Sequence, residues 1–277
     1  MWSERLMSKE LKNKMFKTVI AWLGRENVKH ILKRFNHIFR KVTSKLHSLQ
    51  MKVEWEMQGM PVPEWFDHYL DMYYQWEKTR NPLWLERGIF SSLAINKNGS
   101  VLELCCGDGF NAKYFYSIKA KSILSVDFDK NSIAHAQKYN KVENVTFQLA
   151  DIRHRMPEGI FDTIIWDAAI EHFTELEIDA LMKNIKLRLT HEGVLSGYTI
   201  VRRQKTQAFV HHEYEFKSKE DLMQFLTPYF QNVKVFETIY PSRHNLYFWA
   251  SDDIIPFDAK WEHQITRNDK KQEEILL

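Results

Sequence analysis

The chain has 277 residues, a formal net charge of +3, 44% hydrophobic residues and 18 Phe. This composition predicts a globular protein with one principal domain plus extensions, since a single domain usually runs to roughly 100 to 200 residues. No apolar run approaches the roughly 20 residues that span a bilayer, and the amino terminus lacks the compact apolar core of a secretory signal. We therefore expect a soluble protein.

The positive charge is concentrated in residues 1–52. This segment holds thirteen Lys or Arg and three Glu, which gives it a net charge of +10. The rest of the chain holds 26 basic and 33 acidic residues, which gives it a net charge of −7. Within residues 1–52, apolar residues recur at helical spacing while basic residues cover the other faces, which predicts a basic amphipathic helix. The apolar residues of that stripe are Val28, Ile31, Leu32, Phe35, Ile38, Phe39, Val42, Leu46 and Leu49.

Three roles remain open for this helix. It can pack its stripe on the main domain, lie on an anionic membrane surface as a peripheral contact, or bind a partner. No specific nucleic-acid-binding module is recognisable, so no nucleic-acid partner is expected.

Two further helices are predicted at residues 63–79 and 83–94, separated by Asn81-Pro82, because proline disfavours helical geometry in the residue before it. The first is densely aromatic, and its side chains fit either a core stripe or a lid over a site. We treat residues 53–97 as an aromatic-rich helical cap. The aromatic residues are Trp65, Phe66, Tyr69, Tyr73, Tyr74 and Trp76.

From residue 100 onwards, strands alternate with helices. Apolar runs at 100–104, 122–126, 145–149, 161–166 and 193–201 predict strands, and helices are predicted to start near 110, 130 and 175. This alternation predicts a doubly wound α/β sheet with mostly parallel strands. After a helix at 218–228, strands at 232–238 and 245–250 with a short connection fit a closing antiparallel pair.

Five segments then appear in order: VLELCCGDGF, SVDFDKNSI, FQLADIRHRMP, FDTIIWDAAIEHF and LTHEGVLSGYTI. Together they resemble the successive motifs of class I S-adenosylmethionine-dependent methyltransferases, over roughly residues 98–250. The resemblance implies a Rossmann-like methyltransferase fold with a seven-stranded sheet at 98–252, after a helical N-terminal extension. Residues 253–277 are expected to form a polar tail.

The resemblance also implies where S-adenosylmethionine binds. Glu103, Cys105, Gly107 and Gly109 belong to the turn that receives the methionine end of the cofactor. The glycines permit backbone conformations and close approaches that a side chain would block. The chain departs from the family pattern because Cys105 stands where the first glycine is expected.

The remaining cofactor residues follow later strands. Asp127 is expected to bind the ribose hydroxyls, because a carboxylate can accept two hydrogen bonds. Phe128 and Ile152 are expected to line the adenine, Asp151 to accept from its amino group, and Asp167 to lie near the sulfonium. Carboxylates at strand ends are also common for purely structural reasons.

Two histidines are candidates for catalysis. His172 follows the fourth strand and His212 follows the fifth, and a neutral imidazole near the methyl group can take the proton of the acceptor. His172 also fits a structural role in shaping the cofactor site. Their spacing matches no zinc or EF-hand pattern, so we predict no metal site.

The expected reaction is methyl transfer to an oxygen or nitrogen of a small molecule, or of a glycan or lipid intermediate. Two alternatives stay open: a non-catalytic S-adenosylmethionine-binding scaffold, and a nicotinamide-dependent oxidoreductase, although the turn lacks the full G-x-G-x-x-G pattern. The adjacent cysteines, Cys105 and Cys106, cannot form an ordinary unstrained disulfide, so a cytoplasmic location is expected.

Overall fold

The computed structural model describes residues 9–53, 67–201, 212–241, 243–253 and 255. The chain divides into two compact units, residues 1–57 and 58–277. Trp65 and Phe66, the first residues of the helix predicted at 63–79 and most of the tail predicted at 253–277 lie outside the described residues.

The first unit contains two helices, α1 (Lys9–Leu23) and α2 (Arg25–Lys52). Gly24 joins them with a φ of 78°, a left-handed conformation that glycine adopts without steric cost. The residues of the predicted apolar stripe fall within α2, which extends beyond the stripe at both ends. None of the helices in the described ranges combines the length and apolarity needed to cross a membrane.

The first described helices of the second unit are α3 (His68–Thr79) and α4 (Leu83–Ala94). The Asp67 side chain caps α3 by accepting from the first free backbone N–H groups, and α3 ends where Arg80 turns left-handed. The aromatic stripe of α3 is only partly covered, since Tyr69 and Trp76 are about half exposed.

A seven-stranded sheet follows, in the order β3-β2-β1-β4-β5-β7-β6. Strands β1 to β5 are parallel, while β7 runs antiparallel to both β5 and β6. The strands are β1 (Ser100–Leu104), β2 (Ser122–Asp127), β3 (Val145–Leu149), β4 (Phe161–Asp167), β5 (Leu189–Ile200), β6 (Asn232–Ile239) and β7 (His244–Ser251). The predicted fold class, including the closing antiparallel pair, is confirmed.

The helices α5 (Lys130–Tyr139), α6 (Glu175–Lys186) and α7 (Lys219–Leu226) complete the described fold. Alternate residues of β1 point to opposite faces of the sheet, as the two-residue period of a strand requires. Leu102 and Leu104 pack with α6 and α7 in one core cluster, while Val101 packs with α5 in another. Both faces of the central strand are therefore buried, which explains why apolar residues of β1 point to both faces of the sheet.

Two local features differ from the predicted elements. The helix expected near residue 110 continues as a π-helical turn at Ala112–Tyr116, where Ser117 N–H donates to the Ala112 carbonyl at 2.8 Å. Strand β5 begins at Leu189, four residues before the predicted start, and its pairing with β4 changes register between Phe161 and Thr163. The polar residues Thr190, His191 and Glu192 conceal this part of the strand from an apolar pattern.

The strand order reverses at β1, which has β2 on one side and β4 on the other. In open α/β sheets, ligands bind beyond the carboxyl ends of the strands at such a switch point. The ends of β1 and β4 are Leu104 and Asp167, so the fold places a site next to the turn that follows β1.

Candidate active site

A cavity of about 650 Å³ lies at this edge of the sheet. Eight of the predicted site residues line it: Cys105, Gly107, Asp127, Phe128, Asp151, Ile152, Asp167 and His172. Three others, Glu103, Gly109 and His212, are not among its lining residues. The structure thus brings most of the predicted site residues, which lie at or after the ends of strands β1, β2, β3 and β4, together around one cavity.

The turn after β1 is built from left-handed residues. Cys105, Gly107 and Gly109 have φ values of 56°, 55° and 76°. The position expected to be glycine therefore does take a glycine-like conformation, although a cysteine occupies it. A side chain at such a φ is strained by about 1 to 2 kcal/mol.

The two glycines of the turn serve different purposes. A Cβ added to Gly107 would meet no heavy atom within 4 Å, whereas one added to Gly109 would lie 2.4 Å from the Phe147 ring. Gly107 lines the cavity and Gly109 does not. Gly107 therefore keeps the turn open for a ligand, and Gly109 lets the turn pack against β3 and α5.

Asp127 ends β2 and shapes the middle of the cavity. One carboxylate oxygen accepts from Gly107 N–H and the other from Asp129 N–H, each at 2.9 Å. Burial raises the pKa of this carboxyl group, while the backbone donors oppose that shift. The carboxylate is thus fixed in orientation, and each oxygen keeps a lone pair that can accept from a ligand hydroxyl.

Asp151 is engaged by an arginine that the sequence analysis did not single out. Arg153 Nε and Nη2 donate to its two oxygens at 2.9 Å and 2.7 Å, and this pairing is the main cause that lowers the pKa of Asp151. The Arg153 guanidinium also lies 5.7 Å from the centre of the Phe128 ring. Arg153 follows Asp151-Ile152 directly, so its position in the sequence was a usable signal.

Asp167 is held by a network of protein donors. It is 6% exposed and accepts from Ser91 Oγ at 3.0 Å and from Tyr116 OH at 2.7 Å. Burial raises the pKa of this carboxyl group, and the nearby Arg87 opposes the rise. These contacts connect α4 and the π-helical turn to the end of β4, and no sequence pattern indicates them because the partners lie 51 to 76 positions apart.

Glu103 lies in the interior beneath the turn. It is 3% exposed and accepts from Ser125 Oγ at 2.6 Å. Burial raises the pKa of Glu103 to about 8, with Ser125 opposing and Asp167 adding to the rise. The side chain is therefore mainly protonated at neutral pH.

The glycine turn is also held from outside the sheet. His68 on α3 makes a hydrogen bond of 2.9 Å to the Asp108 carboxylate, and both side chains are buried. The His68 ring stacks on Phe110, with centroids 4.1 Å apart, and meets the edge of Trp84 at 4.3 Å. The cap helices thus stabilise the turn, a role that sequence reasoning missed because only the fold brings these segments together.

The two candidate catalytic histidines meet at one end of the cavity. The rings of His172 and His212 lie 5.0 Å apart in an edge-to-face arrangement. A carboxylate oxygen of Glu171 and one ring nitrogen each of His172 and His212 all lie within 4.8 Å of one another. The Glu171 side chain is buried and accepts from Thr199 Oγ1 at 2.9 Å.

The electrostatic setting of His212 favours the neutral ring. Burial lowers the pKa of His212, and His172 adds to that effect, while the Glu171 carboxylate opposes it. The imidazole is therefore available to accept a proton near neutral pH, and Glu171 is placed to stabilise the cation that results.

Comparison with known proteins points to a methyltransferase domain. Residues 101–193 match the family described as a methyltransferase domain. The malonyl-[acyl-carrier protein] O-methyltransferase of Bacillus cereus is 34% identical over 96 residues, which are 34% of this chain and 35% of that relative. The enzyme of the same name from Bacillus anthracis is 27% identical over 166 residues, 54% of this chain and 61% of the relative.

Among solved structures, the complex of DhpI with SAH aligns over 56% of this chain and 78% of its own, with a TM-score of 0.47 and 20% identity. The chain matches less than two thirds of the length of the curated relatives described above. The family match covers about a third of the chain, residues 101–193, and is to a methyltransferase domain, in agreement with the resemblance of the five motifs. The class and the cofactor predicted from the five motifs are confirmed.

The cavity suits the cofactor of that class. Its volume lies within the range of roughly 300 to 1,000 Å³ that is usual for small-molecule sites. It joins an open glycine position, an oriented carboxylate and an exposed aromatic ring, at Gly107, Asp127 and Phe128. These are the groups that a ligand made of an amino acid, a ribose and a base requires.

Proposed function

We propose that the protein transfers a methyl group from S-adenosylmethionine to an oxygen or nitrogen of a small molecule, or of a glycan or lipid intermediate. The observation that carries this proposal is a single cavity that runs from the Asp127 carboxylate to His172. When bound, the cofactor supplies an electrophilic methyl group on a sulfonium. Charge is neutralised as the new bond forms, so the protein contributes chiefly by alignment and by exclusion of water.

At the cofactor end, we assign Asp127 to the ribose hydroxyls, because its oxygens are oriented by two backbone donors. Phe128, which is 64% exposed beside the cavity, and Ile152 are assigned to the faces of the adenine. Asp151 keeps acceptor capacity for the adenine amino group, although Arg153 already engages both of its oxygens. Cys105 and Gly107 border the methionine end.

Glu103 and Asp167 have supporting roles in this proposal. Both carboxyl groups are buried and are held by protein hydroxyl donors; Asp167 lines the cavity, and Glu103 lies beneath it. The Asp167 carboxylate, and Glu103 once it has lost its proton, attract the ammonium and sulfonium groups of the cofactor through the low-dielectric interior. Because Glu103 is mainly protonated at neutral pH, cofactor binding is expected to release a proton from it.

At the acceptor end, we assign His212 as the general base for an acceptor that holds its proton. Its lowered pKa keeps it neutral at neutral pH, and Glu171 stabilises the imidazolium formed after proton transfer. His172 lines the cavity and packs against the edge of His212, so we assign it to shaping the pocket around the base.

A second acceptor follows from the relatives named as malonyl-[acyl-carrier protein] O-methyltransferases. Their name points to a carboxylate on an acyl chain delivered by a carrier protein. Because an ionised carboxylate has no proton to lose, such an acceptor needs no base. Replacement of His212 by Asn would then leave the rate nearly unchanged, whereas a hydroxyl acceptor predicts a loss of about 10²- to 10⁴-fold.

Calorimetry on the purified chain tests the proposal. We expect S-adenosylmethionine and its demethylated product each to bind at one site, and an Asp127→Ala variant to bind both more weakly. Assays with labelled methyl groups should then include small hydroxyl and amine compounds, glycan and lipid intermediates, and malonyl-carrier protein. A folded chain that binds neither cofactor form contradicts the proposal, while binding without turnover on any acceptor favours the scaffold alternative.

A further inference from the structure

The first unit exposes an extended apolar face. Eight large apolar side chains of α2 fall on one side of the helix by their three- and four-residue spacing, and each is at least 40% exposed. They are Ile31, Leu32, Phe35, Ile38, Phe39, Val42, Leu46 and Leu49. Contiguous apolar surface of this extent marks an interaction site.

Helix α1 adds apolar side chains of the same kind. Met15, Phe16 and Val19 are about half exposed, and Trp22, one turn further on, is 83% exposed. An open groove between α1 and α2 is lined in part by Phe16, Ile20 and Val28. Trp and Phe beside long aliphatic side chains are typical of helices that lie at a membrane interface.

The rest of α2 is strongly basic. It carries eight Lys or Arg and one acidic residue, Glu26, which pairs with Lys29 at 3.3 Å. The basic residues are Arg25, Lys29, Lys33, Arg34, Arg40, Lys41, Lys45 and Lys52. The helix thus joins an exposed apolar face, at residues 31–49, to eight basic side chains distributed over residues 25–52.

We propose that α1 and α2 dock the protein on an anionic lipid surface, with the exposed apolar face inserted among the headgroups and the basic side chains paired with lipid phosphates. An apolar face beside dense positive charge fits an anionic lipid surface, because the apolar side chains contact the acyl chains while the basic side chains contact the phosphates. The docking stands independently of the methyl-transfer reaction, since no residue of the cavity takes part in it.

Charge argues against two other occupants. A second copy of α2 would bring together two helices that each carry a net charge of +7, with a single Glu on each to offset it. A nucleic acid would engage the basic face alone and leave the apolar face in water. Neither partner uses both faces of the helix.

Vesicle binding by the full-length protein tests the docking. We expect co-sedimentation with vesicles of phosphatidylcholine and phosphatidylglycerol mixed at about two to one, little binding to pure phosphatidylcholine, and weaker binding at high salt. Phe39→Glu should lower the vesicle affinity by more than about tenfold, because it places a charge in the inserted face. Phe39 is 64% exposed, so this change removes no core packing.

Asn36→Glu provides the matched control. Asn36 is exposed on the same helix between Lys33 and Arg40, and the substitution adds the same charge without replacing an apolar side chain. It should lower the affinity only about fivefold, the effect of one charge near the surface. Calorimetry with S-adenosylmethionine and circular dichroism should give the same result for both variants as for the unchanged protein.

Three outcomes overturn the docking proposal. Equal losses for Phe39→Glu and Asn36→Glu would mean that the apolar face does not insert. Absence of binding to anionic vesicles, together with a dimer that Phe39→Glu dissociates, would assign the face to a second copy. Binding to nucleic acid, but not to vesicles, would assign the basic face alone.

Discussion

The two glycines after β1 should respond differently to the same substitution by alanine. Both have left-handed φ values, 55° at Gly107 and 76° at Gly109, so either alanine is strained by about 1 to 2 kcal/mol. At Gly107 the new methyl group meets no heavy atom within 4 Å. Gly107→Ala should therefore cost about 1 to 2 kcal/mol of stability and lower the melting temperature by about 2 to 8 °C.

At Gly109 the strain is joined by a steric overlap. The added Cβ would lie 2.4 Å from Phe147 Cε1 and 3.1 Å from Ala136 Cβ. Phe147 is 7% exposed within the core cluster that includes Ala136, so its ring cannot swing into solvent. Overpacking of this kind adds about 1 to 3 kcal/mol, which brings the expected total to about 2 to 5 kcal/mol.

Cofactor binding should show the reverse order. Gly107 lines the cavity, so its added methyl group should weaken binding of S-adenosylmethionine by more than about tenfold. Gly109 does not line it, so the Gly109→Ala variant should bind within a few-fold of the unchanged protein at a temperature where it is folded. Thermal denaturation and calorimetry on the same samples measure both effects. Equal melting temperatures for the two variants, or undiminished binding by Gly107→Ala, would refute the division of roles between the glycines.

Four further predictions concern the cavity and its surroundings. Asp127→Ala should weaken binding of S-adenosylmethionine by about 10- to 100-fold in calorimetry, because charge-assisted hydrogen bonds to the ribose are lost; unchanged affinity would remove Asp127 from the site. With a hydroxyl acceptor, kcat should be level at neutral pH and fall as the pH drops through the lowered pKa of His212, and His212→Asn should abolish this dependence in a steady-state pH profile. Cys105→Gly should change the free energy of unfolding by less than about 1 kcal/mol and preserve or tighten cofactor binding, because relief of left-handed strain offsets lost packing; a marked loss of binding would make the thiol a required part of the site. The raised pKa of Glu103 means that the unfolded chain loses this proton at a lower pH than the folded chain, so the free energy of unfolding should fall as the pH rises from the ordinary carboxyl pKa to about 8, by about 1 kcal/mol per pH unit. Urea denaturation at several pH values measures this fall, and Glu103→Gln should flatten it.

The elements that a local pattern encodes were predicted closely. Helix α4 and strands β1 and β3 coincide with their predicted ranges, because apolar residues recur through each of them at a spacing that fits a helix or a strand. The start of β5 was missed because Thr190, His191 and Glu192 are polar and are exposed or partly exposed there. Apolar patterning cannot mark a strand segment whose side chains remain accessible to water.

The residues of the candidate site that lie at strand ends were predicted from the sequence, and those that come from other elements were not. Strand-end residues such as Asp127 and Asp151 follow from the order of strands along the sequence, because parallel strands bring their carboxyl ends to one edge. His68 and Arg87 come from helices before the sheet, and nothing in their local sequence marks them as neighbours of the turn or the cavity. The membrane-facing role of α1 and α2 and the assignment of His212 as base stay predictions.

The sequence by itself determined the class of this protein, because five motifs at successive strand ends specify the alternation of strands and helices and the ligand that the edge of the sheet receives. It also determined the separation of a basic amphipathic segment from an acidic remainder. Only the tertiary structure decided which carboxylates are exposed to the cavity and which are buried beneath it. Asp127 and Glu103 both belong to strands that lead to the site, but their hydrogen-bond partners and burial depend on neighbouring strands and helices, so charge state and role could be read only from the folded chain.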